Sequence, residues 1–372
     1  MSKDLSTENL IRAADRTEAA NVPSRFPERQ SDGHDAVLAF LADPASYPGH
    51  PSKVEAIETH MSRVFLAGDR VYKIKKAMRF PFVDFTSLEQ RRLYCLRELE
   101  LNQALAPDVY LDVLPIAHRA SGALAIGGEG DPVEWLVVMR RLVRDDLLDN
   151  ALRNGTGRPD HADELAGILG RFYRGARRIG LTGQDLLDWW REAVSLTASS
   201  LTNPFFSLPA RSVEKPLEFL QRFLADDADA IAARAPFILD GHGDLRPEHV
   251  HLGPPIRLID RLEFNARLRW TDPFDEAVFL GMECERLGAP WFGARLLQSL
   301  SDLLGESPSP PLLKFYRCYR ACLRARLSIE HLLDRSPRTP ERWPAQARVY
   351  LDLALSPPAG HARVERTRNI PE

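Results

Sequence analysis

Four cysteines in a chain of 372 residues are too few and too scattered for a disulfide framework, so Cys95, Cys284, Cys318 and Cys322 read as reduced thiols. Cys318 and Cys322 lie four apart in "KFYRCYRACLRARL" and share a helix face. Two small residues filling a helix interface is the reading preferred over a metal pair. Long hydrophobic runs are missing too. Stretches such as "EWLVVM" fall far short of the roughly 20 residues a membrane span needs. The opening "MSKDLSTENLIRAADRTEAA" has no apolar core of the kind a secretory signal carries. Nor is there an excess of one charge: 49 Lys and Arg against 52 Asp and Glu leave a net −3, which points away from nucleic acid and other polyanions. A cytoplasmic protein with neither a membrane nor a nucleic-acid partner is expected, its oligomeric state open. Two phosphate-binding motifs are also lacking. No G-x-x-x-x-G-K-S/T occurs, and "GHGDLR" is not a G-x-G-x-x-G opening a helix after a strand.

What is present supports one large domain or two modest ones, with 44% hydrophobic residues to build a core. Residues 1–35 are polar and read as an N-terminal arm, with one short helix at "STENLIRAADR". "HDAVLAFLADPASY" predicts a helix stopped by Pro44. "RVFLAGDRVYKIK" predicts a hairpin turning at Gly68-Asp69. "SLEQRRLYCLRELELNQALA" predicts a helix, with a serine start signal and apolar residues at helical spacing. "YLDVLPIAH", "GALAIGG" and "VEWLVVMRRL" read as further strands. Residues 36–142 are therefore expected to form a β-rich lobe and residues 143–356 a helical one, followed by a polar tail at 357–372. The fold class is α+β. No internal repeat is seen.

The chemistry concentrates in "DGHGDLRPEHVHLGPPIRLIDRLEF", residues 240 to 264. "HGDLRPEH" aligns with the kinase catalytic loop H-R-D-L-x-x-x-N: His242 takes the His place, Asp244 the Asp, Leu245 the Leu, and His249 the place of the metal-binding Asn. Asp260 ends the apolar strand "IRLID", where a second, metal-holding acid belongs. Phosphoryl transfer needs a carboxylate near the attacking hydroxyl and oxygen ligands for a cation on the β- and γ-phosphates, and two acids on adjacent loop ends can serve both needs.

On these residues the chain resembles the aminoglycoside phosphotransferase family of protein-kinase-like enzymes, whose signature is HGDL-x-x-x-N followed by a strand ending in Asp. It is closer still to a bacterial branch that shares "VYKIKK", "ELELNQALAPDVYL" and "LEFN". The resemblance covers roughly residues 50 to 350. Some longer relatives carry a second, P-loop domain, so activity is expected from the kinase-like part alone. The resemblance implies an ATP-dependent kinase with Mg²⁺, acting on a hydroxyl of a small-molecule acceptor. It also implies a strand lysine braced by a helix glutamate. Lys73 and Lys75 compete for that place, Lys73 being preferred because it directly follows the hairpin, and Glu98 is the partner chosen. Backbone near Met139 and Arg140 would meet the adenine. Asp244 would act on the acceptor hydroxyl, with His242 and Asp275 supporting the loop beneath it.

One departure matters. His249 stands where an Asn is usual, and imidazole suits metals softer than Mg²⁺, so Mn²⁺ is an alternative. Asp260 and His249 are the expected metal ligands, with Glu263 a further oxygen donor. Two competing readings stay open: a nucleotide-binding module without turnover, and a metal-dependent hydrolase using His242, Asp244, His249, His251 and Asp260 with Zn²⁺. Elsewhere, Asp272 before Pro273 reads as a helix cap. Trp189 and Trp190 read as packing. The arginines of "YRCYRACLRARL" are expected at the solvent, or lining an acceptor site for an anionic substrate.

Overall fold

The computed structural model describes residues 33–80, 83–333 and 339–356. The helix expected at "STENLIRAADR" and the tail from Pro357 lie outside them. The fold is α+β and divides into two compact units that interleave in sequence. One comprises Met1–Leu147, His242–Asp244 and His249–Trp270; the other comprises Leu148–Gly241, Leu245–Glu248 and Thr271–Glu372.

The first unit is built on an antiparallel sheet. Helix α1 (Gly33–Ala42) precedes strands β1 (Val54–Glu58), β2 (Ser62–Ala67) and β3 (Arg70–Lys75). The β2–β3 hairpin turns at Gly68-Asp69 as the sequence predicts, with Gly68 at φ +61°. A short pair follows, β4 (Arg79–Phe80) and β5 (Val83–Asp84), then helix α2 (Leu88–Gln103). Ser87 caps α2 by accepting from the Gln90 amide. Strands β6 (Tyr110–His118), β7 (Leu124–Ile126) and β8 (Pro132–Arg140) complete a six-stranded sheet in the order β1-β2-β3-β8-β6-β7.

Alternation along β3 decides what each face of this sheet carries. Tyr72 and Ile74 join Leu136 and Val138 in a core shared with Val37 and Leu41 of α1. Lys73 sits opposite Val137 in the ladder and faces the other way. On that second face Val137 and Val113 pack with Cys95, Leu96 and Leu99 of α2. Helix α2 is thus pressed onto the face that carries the two lysines, and its buried positions include Arg91, Arg97, Glu98 and Asn102.

The second unit contains helices α3 (Leu148–Arg153), α4 (Pro159–Gly175), α5 (Gly183–Leu201), α6 (Ala210–Asp226) and α7 (Ala228–Ala232), with strand β9 (Leu239–Asp240). Helices α8 (Pro273–Arg286), α9 (Pro290–Leu304), α10 (Pro310–Glu330) and α11 (Arg342–Ala354) follow. Asp272 caps α8 by accepting from the Phe274 amide, with Pro273 in the first turn, as expected. Trp190 is buried against Phe315, Tyr316 and Tyr319, a packing role. Cys318 and Cys322 are buried free thiols, and Cys318 Sγ lies against the Pro216 carbonyl. The arginines of α10 correct the expectation of a solvated stripe. Arg320 forks onto Asp275, Arg317 onto Glu285, and Arg324 meets Glu283. Helix α8 presents acids at a matching pitch, so the charges are buried by pairing.

Candidate active site

The site residues of the first unit come from β3, α2, β6 and the two loop segments that belong to it. Lys73 and Lys75, two apart, project from the same face of β3 toward α2. Glu98 on α2 is fully buried and takes both: Lys73 Nζ is 2.7 Å from Oε1, and Lys75 Nζ is 2.8 Å from Oε2. The Lys73 contact is a close ion pair lying off the hydrogen-bond direction of Oε1, whereas Lys75 donates a directed bond. Lys73 also donates to Asp260 Oδ1 at 3.0 Å. Lys75 also reaches Glu263 Oε1 at 2.5 Å. Two lysines and three acids therefore alternate in the order Asp260, Lys73, Glu98, Lys75, Glu263.

This alternation sets the charges. Burial disfavours the Lys73 ammonium, but Asp260, Glu98 and Glu263 outweigh it and hold its pKa well above the usual lysine range. Glu263 and Glu98 act likewise on Lys75, also against burial. Glu98 lies below the ordinary glutamate range because Lys73 and Lys75 overcome its burial. Exposure is uneven along the row. The Lys75 side chain is 1% exposed and that of Asp260 45%, so only the Asp260 end is open to solvent.

The loop carrying Asp244 folds around Gly243, whose φ of +90° favours glycine and where a Cβ would press on Leu262 and the Leu268 carbonyl at 3.0 Å. His242 is fully buried. Its Nε2 donates to the Ile259 carbonyl at 2.9 Å and its Nδ1 accepts from the Asp244 amide at 3.4 Å. Burial, reinforced by nearby His249, pushes its pKa down to about 3, so the ring is neutral and both nitrogens are used. It ties the Asp244 backbone to the end of the strand that delivers Asp260, and it has no lone pair left for a metal. That removes one ligand from the hydrolase reading.

His249 stands between the two acids. Its Nδ1 lies 2.8 Å from the Asp244 carbonyl and 3.7 Å from Asp244 Oδ2, and its Nε2 lies 3.5 Å from Asp260 Oδ2. A carbonyl only accepts, so Nδ1 carries the proton. Nε2 then faces the Asp260 carboxylate. Asp244, His249 and Asp260 are brought together as the sequence motif implies. Glu263, the further oxygen donor expected from the sequence, has its Oε1 engaged by Lys75 in the ligand-free structure. Among the described residues no group of three or more His, Cys, Asp or Glu is arranged to hold a metal by itself.

The remaining expected residues lie as follows. Met139 pairs with Val71 and Tyr110 inside the sheet. The Arg140 amide donates to Val109 and that of Arg141 to Asp69, each at 2.8 Å. Arg140 has no amide hydrogen left to offer a base, so Leu142 and the exposed Val143 are the first residues past the ladder. Asp275 is held by Arg320 and Thr271 within the helical unit. His251 is buried, with Asp146 Oδ2 3.8 Å from its Nε2. Two residues of the site were not anticipated. Tyr110 Oη accepts from the Asp260 amide at 2.9 Å. Asn102 accepts from the Arg261 amide at 2.8 Å and donates to its carbonyl at 3.3 Å. Asn102 follows Glu98 by four positions on α2, and a polar residue on the buried face of a helix was the available signal.

No family model matches the chain. Among curated proteins it is 33% identical over 283 residues to uncharacterised proteins of Mycobacterium tuberculosis and Mycobacterium bovis, which covers 74% of this chain and 54% of theirs. The chain thus spans about half the length of those relatives. Among solved structures it is similar to a choline/ethanolamine kinase family protein from Mesorhizobium loti, with TM-score 0.53, 16% identity and coverage of 87% of this chain and 96% of that one. It is also similar to an APH(2")-type protein in complex with GDP and kanamycin, with TM-score 0.50, 16% identity and coverage of 87% and 98%. A thermostable mutant of aminoglycoside phosphotransferase APH(4)-Ia, in complex with AMP-PNP and hygromycin B, gives TM-score 0.50 at 15% identity, with coverage of 86% and 97%. The fold is protein-kinase-like, with a β-rich part and a larger helical part. No helix among the described residues is long and apolar enough to cross a membrane.

Proposed function

We propose that this chain is a small-molecule kinase that transfers the γ-phosphate of ATP to a hydroxyl of its acceptor. One observation carries the reading: two carboxylates, Asp244 and Asp260, flank His249, with Asp260 joined directly to the buried Lys73–Glu98 pair. Solved neighbours described as kinases, two of them bound to nucleotides or analogues, support it at the level of fold. Nucleotide binding falls to the β-rich region and residues 249–270, acceptor binding to the helical region.

Asp244 would accept or orient the proton of the attacking hydroxyl. Lys73 is favoured over Lys75 for the phosphates, because it adjoins the open end of the row while Lys75 is closed between two carboxylates. His249 Nε2 and Asp260 Oδ2, 3.5 Å apart, would be the residues to hold a divalent cation beside a bound nucleotide. Such a cation would offset charge on the β- and γ-phosphates. An imidazole in the donor set favours Mn²⁺ or another borderline metal over Mg²⁺.

The test is thermal unfolding with ATP alone and with Mg²⁺, Mn²⁺ or Zn²⁺, on the wild type and Asp260→Asn. Ligand at about 100 times its dissociation constant adds roughly 2.7 kcal/mol of stability. A metal-dependent ATP shift lost in Asp260→Asn supports the site. In an acceptor assay, Asp244→Asn should lower transfer by about 10²- to 10⁴-fold and leave ATP binding intact. No shift with any metal in folded protein would leave a kinase-fold module without turnover.

A further inference from the structure

A single lysine suffices to brace Glu98 and meet phosphates, yet β3 buries a second one beside it. Lys75 is closed on both sides, by Glu98 and by Glu263, and has no exposed surface to offer a ligand. Glu263 lies three residues beyond Asp260. In the same short stretch, Asn102 holds the Arg261 backbone in both directions and Tyr110 Oη holds the Asp260 amide. Leu262 completes it, donating its amide to the His242 carbonyl at 3.2 Å. Four consecutive residues are thus anchored on β3, α2, β6 and the loop before Asp244.

The anchoring has a backbone consequence. Asp260 sits at φ +61°, in the left-handed region. A residue other than glycine persists there where its surroundings over-determine it. This conformation turns Oδ1 to Lys73 and Oδ2 to His249 together.

We infer that Lys75, Asn102 and Glu263 are positioning residues that lock the loop 260–263 onto β3 and α2, so that the Asp260 carboxylate is set before a nucleotide arrives. The lock also gives "VYKIKK", "ELELN" and "LEFN" one joint purpose, since they supply Lys75, then Glu98 and Asn102, then Glu263. For the role of Asp260 it rests on the kinase reading above. The lock itself is a property of the ligand-free chain.

The experiment compares the full wild-type chain with Lys75→Met/Glu263→Gln, which removes the two opposite charges of that pair and leaves Glu98 its contact with Lys73. Asn102→Ala serves as a separate, uncharged variant. Two quantities are read. The first is hydrogen exchange at the Asp260 and Arg261 amides without ligand, with the β2–β3 ladder amides as the control for folding. The second is ATP affinity with and without Mn²⁺. Both variants should exchange faster at 260–261 with the ladder unchanged. Both should lose about 10- to 100-fold of the Mn²⁺-dependent gain in ATP affinity, while metal-free ATP affinity stays near wild type. Lys75→Arg, which keeps the charge, should restore part of that gain. Wild-type exchange at 260–261 together with an undiminished Mn²⁺ gain would overturn the lock. If the wild type binds no ATP with any metal, the kinase reading fails. Exchange then decides the lock alone: faster exchange in the variants supports it and unchanged exchange overturns it.

Discussion

Both units bury charge on arginines, and the β-rich unit adds a row of lysines that the helical unit lacks among the described residues. In the β-rich unit a buried arginine, Arg91, lies on Glu134, and beside it two lysines, Lys73 and Lys75, are strung between carboxylates in a row whose Asp260 end stays open to solvent. In the helical unit the buried cations are arginines held by carboxylates: Arg320 forks onto Asp275 and Arg317 onto Glu285, while Arg234 divides between Asp272 and Glu306. An arginine fork matched to a carboxylate is a closed arrangement with fixed geometry. A lysine is a point charge that can exchange one oxygen partner for another. Buried charge alone therefore does not mark a functional site here. On the proposed reading the marker is a row with a reachable end and partners that a ligand's oxygens can replace.

The largest effect expected from breaking this contrast lies in the helical unit. Arg320→Met leaves the Asp275 carboxylate buried without its cation, with Thr271 still beside it. Removing one partner of a buried pair costs about 3–5 kcal/mol. Chemical denaturation should show that loss, and Arg320→Met/Asp275→Leu should recover most of it. Lys73→Met is expected to cost less stability, because Glu98 keeps Lys75 and Asp260 turns to water, and to cost ATP binding instead. If Lys73→Met destabilised as much as Arg320→Met and left ATP binding unchanged, the distinction between the two rows would fail.

The same contrast explains what was legible beforehand. Lys73, Lys75, Glu98 and Asp260 could be grouped from the sequence because each sits on an element with a clear local pattern, and the structure pairs both lysines with Glu98 and Lys73 with Asp260. The hairpin at Gly68-Asp69 and the Ser87 and Asp272 caps were readable because turns and caps are local. Asn102 and Tyr110 were not, because each bonds the backbone of a loop about 150 residues away and leaves no periodic trace. The burial of Arg320 was hidden for a related reason: an arginine stripe looks solvated until another helix supplies acids at the same pitch. Glu263 was recognised as an oxygen near the site, and its contact with Lys75 was not foreseen. Its proximity to Asp260 is written in the sequence, whereas the Lys75 facing it depends on how β3 meets the loop.

A smaller effect tests how tightly the helical unit is built around its ion pairs. A Cβ on Gly293 would lie 2.5 Å from the Gly281 Cα, so α8 and α9 cross with backbones in contact. Gly293→Ala should cost about 1–3 kcal/mol through forced separation. That outweighs the gain of roughly 1 kcal/mol from alanine's better helix propensity. Thermal unfolding measures the balance. A stabilised variant would show that α8 shifts freely, and the α8–α10 ion pairs would then be adaptable rather than fixed.

The smallest effect separates buried from exposed pairs by pH and salt. Lys73 and Lys75 depress the Glu98 pKa below its ordinary 4.5 despite burial. Its stabilisation is therefore complete above about that value and is lost as pH falls through the folded pKa. Asp163 in α4 follows the same sign: hydrogen bonds from Arg295 and Ser299 lower its carboxyl to about 2. Both groups then contribute to the acid limb of a stability curve, the limb on which unfolding becomes easier as protons are added. They differ in screening, because the Asp163–Arg295 pair lies at the surface and the Glu98 row is enclosed. In stability curves recorded between pH 2 and 6, Asp163→Asn should flatten the limb slightly at low salt and not at all at about 1 M salt, where the Debye length is roughly 3 Å. Glu98→Gln should flatten it at both. Equal salt sensitivity of the two variants would mean that water reaches the Lys73–Glu98–Lys75 row, and the closed character assigned to its Lys75 end would have to be given up.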